Sequence, residues 1–382
     1  MSSSDSQNQE GAPAHTPLYD LHVAAGGKMT AFAGYALPIQ FPAGIIAEHT
    51  HVRTAAGLFD VSHMGQAWLT SGDDVSAALE TLVPGEISRL KPGRMRYTQL
   101  LTEDGGIIDD LMVTKFEDDG GAEILFLVVN GARKSVDFAH MSQKLSGRAE
   151  LDVLAGRALI ALQGPEASSV LSEFVPEAAT MPFMSALRVS LGGADVIVSR
   201  CGYTGEDGYE ISIGAAEAPG FAKQLLDVPA VEPIGLGARD SLRLEAGLCL
   251  YGNDIDETTS PVEADLVWSM GKRRREEGGF PGEDRIMAEL ADGPKRRRVG
   301  IRPEGRAPAR QGTAILATDG REIGVVTSGL YSPTIEAPVA MGYVEASTAD
   351  DAEVALSVRG KALPARIASM PFVPQRYYRP TK

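Results

Sequence analysis

Cysteine is almost absent from this chain, with only Cys201 and Cys249 among 382 residues. Two cysteines so far apart argue against a disulfide framework and against the paired thiolates of a structural zinc site. Histidine is also scarce, and His49 and His51 form the one close pair among six. Isolated histidines are typical of surface or packing positions, so the sequence predicts no metal site.

Long apolar runs and a surplus of basic residues are also missing. No segment approaches the ~20 consecutive apolar residues that a membrane-spanning helix needs. The formal net charge is −15, which argues against nucleic acid as a main partner, because phosphate binding needs a basic surface. With 43% hydrophobic and 23% charged residues, the composition is typical of a folded globular protein. We therefore expect neither a membrane nor a nucleic-acid partner.

The N-terminal segment lacks the features of a targeting peptide. Its first sixteen residues are rich in serine, with aspartate and glutamine, and contain no apolar stretch and no arginine. This composition predicts a disordered tail over residues 1–16 rather than a signal or transit peptide. On this basis we expect a cytoplasmic protein of bacterial origin.

The next two thirds of the chain mix strand and helix patterns. Residues 123–129 and 195–199 are apolar runs of strand length, and the first ends at an Asn-Gly turn signal. Apolar residues recur at helical spacing after Asp74, after Pro165 and around Phe221. These patterns predict an α+β fold.

The composition changes at two basic clusters, residues 272–275 and 295–298. Beyond them the chain has short strand patterns, and the Asp-Gly pair at 319–320 is a hairpin signal. Short strands at this spacing predict a small barrel or sandwich. The predicted domains are a tail at 1–16, an α+β region at 17–290 and a β domain at 291–382.

Two adjacent acids, Asp109 and Asp110, lie in an apolar strand that follows a Gly-Gly turn. Neighbouring strand residues point to opposite faces, and both faces carry apolar residues here. At least one acid is therefore expected in a poorly solvated place. Burial raises the pKa of an unpaired carboxyl and suits a group that holds or moves a proton. Two acids that cap a hairpin turn fit the segment equally well.

A glycine-rich loop from Gly202 to Glu210 contains two tyrosines and three acids. Its three glycines indicate a tight turn. A carboxylate in this loop could accept hydrogen bonds from a donor-rich heterocycle such as a pterin. Spacing alone favours the simpler alternative, a strand–turn–strand with solvated acids. The loop has no Gly-Lys-Ser/Thr ending, so it is not a phosphate loop.

A second glycine turn, at Gly235 and Gly237, precedes Arg239 near the start of a predicted helix. A guanidinium there could hold a ligand carboxylate or orient a pterin oxygen, although a surface salt bridge is the commoner role. The glycines do not complete a dinucleotide fingerprint. His63 follows Ser62, but nothing else marks this pair as nucleophilic.

These segments together resemble the glycine cleavage T-protein family, from about residue 16 to the C-terminus. The resemblance includes the acid-pair strand, the tyrosine loop and the Arg239 turn. Each segment is weak alone, but their joint order over most of the chain is specific. The other matching segments are 16–22 (TPLYDLH), 57–65 (GLFDVSHMG), 128–130 (VVN), 250–257 (LYGNDIDE), 325–329 (VVTSG) and 370–374 (MPFVP).

The resemblance implies a fold and a reaction. The implied fold is an α+β three-domain ring with two interwoven folate-binding domains and a C-terminal β-barrel or jelly roll. The implied enzyme is an aminomethyltransferase of the glycine cleavage system. It takes the one-carbon unit from the aminomethylated lipoyl arm of H-protein and gives it to tetrahydrofolate, with release of ammonia. Tetrahydrofolate is thus the expected co-substrate, and lipoylated H-protein the expected partner.

The resemblance also assigns site residues. The catalytic aspartate is the second of the pair, Asp110. The residues expected to bind folate are Tyr97, Asn130, Tyr203, Glu210, Arg239 and Tyr377.

This chain departs from the family pattern at two places. Tyr35 stands where many members carry tryptophan, and Asn130 is followed by Gly-Ala-Arg where two small residues are usual. Neither departure touches the matched acids or pterin residues. Two alternative functions remain open. One is a folate-dependent demethylase of a small methylated compound, and the other is a non-enzymatic folate-binding accessory protein. The first is often fused to a flavin domain, for which this chain has no room. The second carries a Lys-Gly-Cys-Tyr-type motif that is not found here.

The two basic clusters allow two interpretations. The simpler one is a solvated loop. The other is a docking patch for an acidic H-protein, which would act by electrostatic steering and be weakened by salt.

Overall fold

The computed structural model describes residues 11–380. Ordered structure begins inside the predicted tail, because Ala14–His15 forms a parallel bridge with Tyr35–Gln40. Residues 1–10 of that tail lie outside the described residues. The N-terminal three-stranded sheet has the order β1-β3-β2. Its strands are β1 Ala14–His15, β2 Lys28–Phe32 and β3 Tyr35–Gln40, and its helices are α1 Tyr19–Ala24 and α2 Ile45–Thr54.

A five-stranded sheet of order β6-β7-β8-β5-β9 carries the acid pair. Its helix α3 begins as the sequence predicts, because Asp74 accepts a hydrogen bond from the backbone of Ala77 over 2.8 Å. The predicted strand at 123–129 is confirmed as β8. The strands are β5 Gly65–Thr70, β6 Met95–Leu101, β7 Ile107–Glu117, β8 Glu123–Val129 and β9 Glu150–Val153, with helices α3 Val75–Glu80 and α4 Lys134–Lys144.

A six-stranded sheet of order β11-β12-β13-β10-β4-β14 is interwoven with it. Strand β4 precedes the five-stranded sheet in sequence and β10 follows it, yet the two pair antiparallel. Its strands are β4 Ala56–Asp60, β10 Arg157–Gln163, β11 Ser185–Leu191, β12 Ala194–Arg200, β13 Gly208–Gly214 and β14 Val231–Ile234. Its helices are α5 Ala167–Ser172, α6 Ala218–Leu226 and α7 Leu236–Glu245.

The chain ends in a closed six-stranded barrel of order β15-β18-β17-β16-β19-β20. Closure leaves no free strand edges, and the hairpin expected at 319–320 joins β16 to β17. The barrel strands are β15 Arg296–Pro303, β16 Ala314–Leu316, β17 Glu322–Ser332, β18 Ala337–Glu345, β19 Glu353–Val358 and β20 Lys361–Ala368. Two helices precede it, α8 Lys272–Glu277 and α9 Glu283–Asp292. Within residues 11–380, no helix is both long and apolar enough to span a bilayer.

Shared apolar cores hold these units together. Phe59 of the six-stranded sheet and Phe126 of the five-stranded sheet belong to one buried cluster, which also includes Leu242 of α7. A different face of α7 packs on the barrel through Leu244, which belongs to the cluster of Phe372. Helix α7 therefore lies where all three units meet.

Most side chains of the two basic clusters make hydrogen bonds or ion pairs within the chain. Arg274 and Arg298 are buried and donate to backbone carbonyls, such as those of Gly279 and Ala264. Arg273, Arg296 and Arg297 form ion pairs with acids of neighbouring elements, as Arg273 does with Glu86 over 3.1 Å, whereas Arg275 is exposed. The solvated-loop interpretation is therefore wrong for most of these side chains, which stabilise the connection to the barrel.

Candidate active site

The candidate site is built around Asp110, which lies on β7 opposite Gln99 of β6. Asn130, at the end of the neighbouring strand β8, donates from Nδ2 to Asp110 Oδ1 over 2.7 Å. The Tyr97 hydroxyl lies beside this carboxyl and favours its charged form. Asp110 nevertheless keeps some accessible surface. It therefore has both a fixed orientation and access to a ligand.

The surroundings make Asp110 unusually hard to ionise. Burial is the main reason that its pKa is raised to about 7, and the neighbouring Asp109 carboxyl adds to the effect. A carboxyl with a pKa near neutrality can hold or release a proton at physiological pH. Asp109, the preceding residue of β7, is fully buried. The prediction that at least one of the two acids is poorly solvated is confirmed.

Two glycines shape the loop that carries Tyr203. A Cβ atom at Gly202 would lie 1.7 Å from Oε1 of Gln163, and Gly205 has a φ of +78°. A side chain at either position would force the loop to shift. The Tyr203 hydroxyl donates to the backbone carbonyl of Cys249, so the ring is held in one orientation.

Arg239 and Glu210 supply the charged end of the site. The Arg239 guanidinium, in the first turn of α7, lies 4.6 Å from the centroid of the Tyr203 ring in a cation–π arrangement. Burial raises the pKa of Glu210 and lowers that of Arg239, and each charge partly offsets the shift of the other. Within residues 11–380 the two groups form no direct ion pair, and Glu210 contacts the thiol of Cys201 instead. The donors of Arg239 and the acceptors of Glu210 thus lie near each other without pairing.

Tyr377 reaches this end of the site from the segment that follows the barrel. Its ring stacks on Phe183 with centroids 3.9 Å apart. Burial raises the pKa of Tyr377 to about 12, with Cys201 as the next contribution. Its neighbour Arg376 contacts Glu206 over 2.5 Å, which ties the C-terminal segment to the tyrosine loop.

All seven predicted site residues come together, although they span positions 97 to 377. Tyr97 and Tyr203 both lie beside Cys249, and Glu210 and Tyr377 both lie beside Cys201. Each of them keeps part of its surface accessible, as expected for residues that a ligand can reach. These residues are Tyr97, Asp110, Asn130, Tyr203, Glu210, Arg239 and Tyr377. Their folate-binding roles remain predictions.

The sequence did not point to three further groups at the site. Cys201 and Cys249 are buried between the site tyrosines and acids, where the carbonyl of Cys249 accepts a hydrogen bond. His63 is buried, with its pKa lowered to about 3 by desolvation and then by the charge of Arg239. This imidazole is therefore neutral. Only the adjacency of Cys201 to the loop could have signalled its position.

Asp137 was also missed, although the sequence carries a usable signal. It lies on α4, where the other buried residue is Met141, one helical turn later. An acid at i, i+4 spacing from an apolar residue indicates a carboxyl on the buried face of a helix.

Two family models match the chain. The GCVT N-terminal domain matches residues 18–274. The glycine cleavage T-protein C-terminal barrel domain matches residues 296–374. Together they cover both interwoven sheets and the barrel.

Relatives match over almost the whole chain. The probable mitochondrial aminomethyltransferase of Schizosaccharomyces pombe is 45% identical over 95% of this chain and 94% of its own length. The human mitochondrial aminomethyltransferase is 46% identical, over 95% of this chain and 91% of its own. The crystal structure of the glycine cleavage system aminomethyltransferase T from Bartonella henselae matches with a TM-score of 0.90. That structure is 41% identical and covers 96% of this chain and 99% of its own.

Proposed function

The chain belongs to the glycine cleavage T-protein family of aminomethyltransferases, and on that premise we propose how its own residues carry out the transfer. The reaction moves a one-carbon unit to tetrahydrofolate. In the proposed form, the carbon–sulfur and carbon–nitrogen bonds of the aminomethylated lipoyl arm of H-protein break. The sulfur leaves as a thiol, the nitrogen as ammonia, and the carbon bridges two nitrogens of the folate.

Asp110 is the proposed catalytic group, and its half-buried carboxyl with a pKa of about 7 is the observation that carries the proposal. As a carboxylate it accepts a hydrogen bond from the N–H of the reacting folate nitrogen. This hydrogen bond increases the nucleophilicity of that nitrogen. Its negative charge also stabilises the cationic carbon centre that forms as the bond to sulfur or nitrogen breaks. Asn130 fixes this carboxyl through the 2.7 Å hydrogen bond, so little reorganisation is needed during the reaction.

Glu210 and Arg239 are the proposed clamp for the pterin ring. A pterin presents an amino group and a ring N–H side by side, and one carboxylate can accept both. Glu210 has its oxygens free for this role, apart from the thiol contact. Arg239 offers planar donors to the pterin oxygen, and its ring partner Tyr203 limits its movement.

The remaining three residues are proposed to line the folate path. Tyr97 stacks on Trp268 with centroids 5.3 Å apart and also touches Asp110, so it can contact the folate next to the reacting atoms. Asn130 borders the same place. Tyr377 lies at the Glu210 end, held by Phe183, and is assigned to the folate tail by the family pattern.

The cytoplasm is the proposed compartment of this protein. The relatives from Schizosaccharomyces pombe and human are mitochondrial by name, so the same chemistry also serves inside an organelle. Fractionation of the source cell, with detection of the protein by antibody, tests this proposal. Recovery in a mitochondrial or other organelle fraction would reject it.

The reaction is tested by reconstitution. The purified protein is mixed with aminomethylated H-protein and tetrahydrofolate, and ammonia and methylenetetrahydrofolate are measured together. We expect equal amounts of both products and none without H-protein. Equal turnover of a small methylated amine in place of H-protein would favour the demethylase alternative, and no turnover of either would favour the non-enzymatic one.

A further inference from the structure

Asp137 is a buried acid that the mechanism above does not use. Its side chain is fully buried on α4, and neither carboxyl oxygen accepts a hydrogen bond from any donor in residues 11–380. An ionised carboxylate in this position would give up its water hydrogen bonds without replacement, which strongly disfavours the charged form. A protonated, neutral carboxyl avoids that cost.

The neighbour that can take this proton in a hydrogen bond is Asp109. The two carboxyl groups are in hydrogen-bond contact. Asp109 already accepts from the backbone N–H of Asn130 at Oδ2 and from its side-chain Nδ2 at Oδ1, each over 3.0 Å. A proton on Asp137 gives Asp109 one more donor. The pKa of Asp137 is accordingly raised to about 10, by burial and then by the charge of Asp109.

Asn130 connects this pair to the proposed catalytic acid. One amide nitrogen, Nδ2, lies 3.0 Å from Asp109 Oδ1 and 2.7 Å from Asp110 Oδ1. Its two hydrogens can serve both carboxyls at once. Hydrogen bonds therefore run without a break from Asp137 through Asp109 and Asn130 to Asp110.

We propose that Asp137 and Asp109 share one proton, and that this buried pair positions Asn130 against Asp110 and places a fixed negative charge behind it. The inference rests on the proposed role of Asp110. Asp137 and Asp109 are positioning residues, since the path from them to the site passes through Asn130. The pair sets the pH range over which Asp110 works as a carboxylate.

Other ionisable groups also face this cluster. Arg133 faces Asp137 and favours its charged form. Tyr251 faces Asp109. The groups that face Asp110 from other elements are Tyr97, Tyr203 and Cys249. Burial raises the pKa of every one of these tyrosines and of this cysteine. They therefore stay neutral at pH 7. The negative charge shared by Asp137 and Asp109 is then the main charge that acts on the pKa of Asp110.

Three variants test the parts of this proposal separately. For each variant, the single-turnover rate of transfer is measured as a function of pH. Asp109→Asn removes the negative charge behind Asp110, so the midpoint of the acid limb should move about one unit or more to lower pH. Asp137→Asn keeps a neutral hydrogen-bond donor to Asp109 and should leave the midpoint unchanged. Asp137→Leu removes the donor, so Asp109 takes up a proton and the midpoint should fall as in Asp109→Asn. An unchanged midpoint in Asp109→Asn would overturn the proposal.

A second readout does not need turnover. Infrared difference spectra between the wild type and Asp137→Asn, recorded at pH 8, should show the carbonyl stretch of one protonated carboxylic acid in the wild type. The same band should persist in Asp110→Asn. If no such band is lost in Asp137→Asn, the shared proton does not exist, whatever the role of Asp110. If the band is present but Asp110→Asn retains turnover, the proposed function fails and the proton-sharing pair stands as a structural feature alone.

Discussion

Two clusters of buried charge in this molecule have opposite character. At the junction of α2, α7 and the barrel, Arg53 contacts Glu206 over 2.8 Å and Glu245 over 2.7 Å, and Glu245 also takes a hydrogen bond from Thr334. Burial would raise the pKa of Glu245, but bonds from His49, Ser332 and Arg53 lower it to about 2.

At the candidate site, buried ionisable groups are left incompletely paired. Asp110 has its pKa raised to about 7, and within residues 11–380 Glu210 and Arg239 lie near each other without forming an ion pair. The junction uses buried charge to join elements, whereas the site holds its charges ready for a ligand. Incomplete pairing of buried groups is thus a better pointer to function here than burial itself.

The largest effect is expected from Asp110→Asn. The amide keeps the shape of the side chain but cannot carry the negative charge, so turnover should fall ~100- to 10,000-fold. Folate affinity, measured by titration, should change less than about threefold. Glu103→Gln, at an exposed acid between β6 and β7, is a control that should keep full turnover. Near-normal turnover of Asp110→Asn would remove Asp110 from the mechanism.

A substitution at the junction should lower the free energy of unfolding rather than the rate of transfer. Glu245→Gln leaves Arg53 with one fewer counter-charge in a buried place, and should lower the free energy of unfolding by about 3 kcal/mol at pH 7. Because the folded-state pKa of Glu245 is depressed from 4.5 to about 2, its contribution is present above about pH 4.5. That contribution is lost as the pH falls from there to about 2. Denaturant unfolding at pH 7 and pH 3 measures this, and an equal loss at both values would contradict it.

Smaller effects are expected from the pterin clamp. Glu210→Ala and Arg239→Ala each remove charge-assisted hydrogen bonds worth ~1.5–3 kcal/mol, so folate affinity should fall about 10- to 100-fold. The transfer rate at saturating folate should change much less. Calorimetric titration with tetrahydrofolate gives the affinities. Unchanged affinity in both variants would show that the pterin binds elsewhere.

The smallest effect concerns the basic clusters. Arg273, Arg274 and Arg298 are already engaged within the chain, so the exposed Lys272, Arg275 and Lys295 are the side chains left for a partner. Replacing all three with glutamine should change the KM for H-protein by less than about twofold. A large, salt-dependent rise in that KM would restore the docking interpretation.

The sequence predicted the local elements because they depend on neighbouring residues. Examples are the apolar run of β8, the Asp74 cap of α3 and the Asp-Gly hairpin of the barrel. Asp109 and Asp110 were placed on opposite faces by strand alternation alone. The interweaving of the two sheets came from the family resemblance, since the pairing of β4 with β10 spans about a hundred residues and leaves no periodic signal.

Long-range partners could not be predicted. Nothing near Arg298 in sequence indicates that its guanidinium is buried against Ala264, so a run of cations looked like a solvated surface. Asp137 and Asp109 are separated by the whole of β8 and the start of α4. Only the fold shows that a helix acid and a strand acid meet behind Asn130.

A structure of the protein with bound tetrahydrofolate tests the central claim most directly. The account predicts the pterin amino group and ring N–H on Glu210, its oxygen toward Arg239, and the reacting nitrogens within ~3–3.5 Å of Asp110. A folate bound with its pterin away from Glu210, or with Asp110 facing no part of it, would contradict the account.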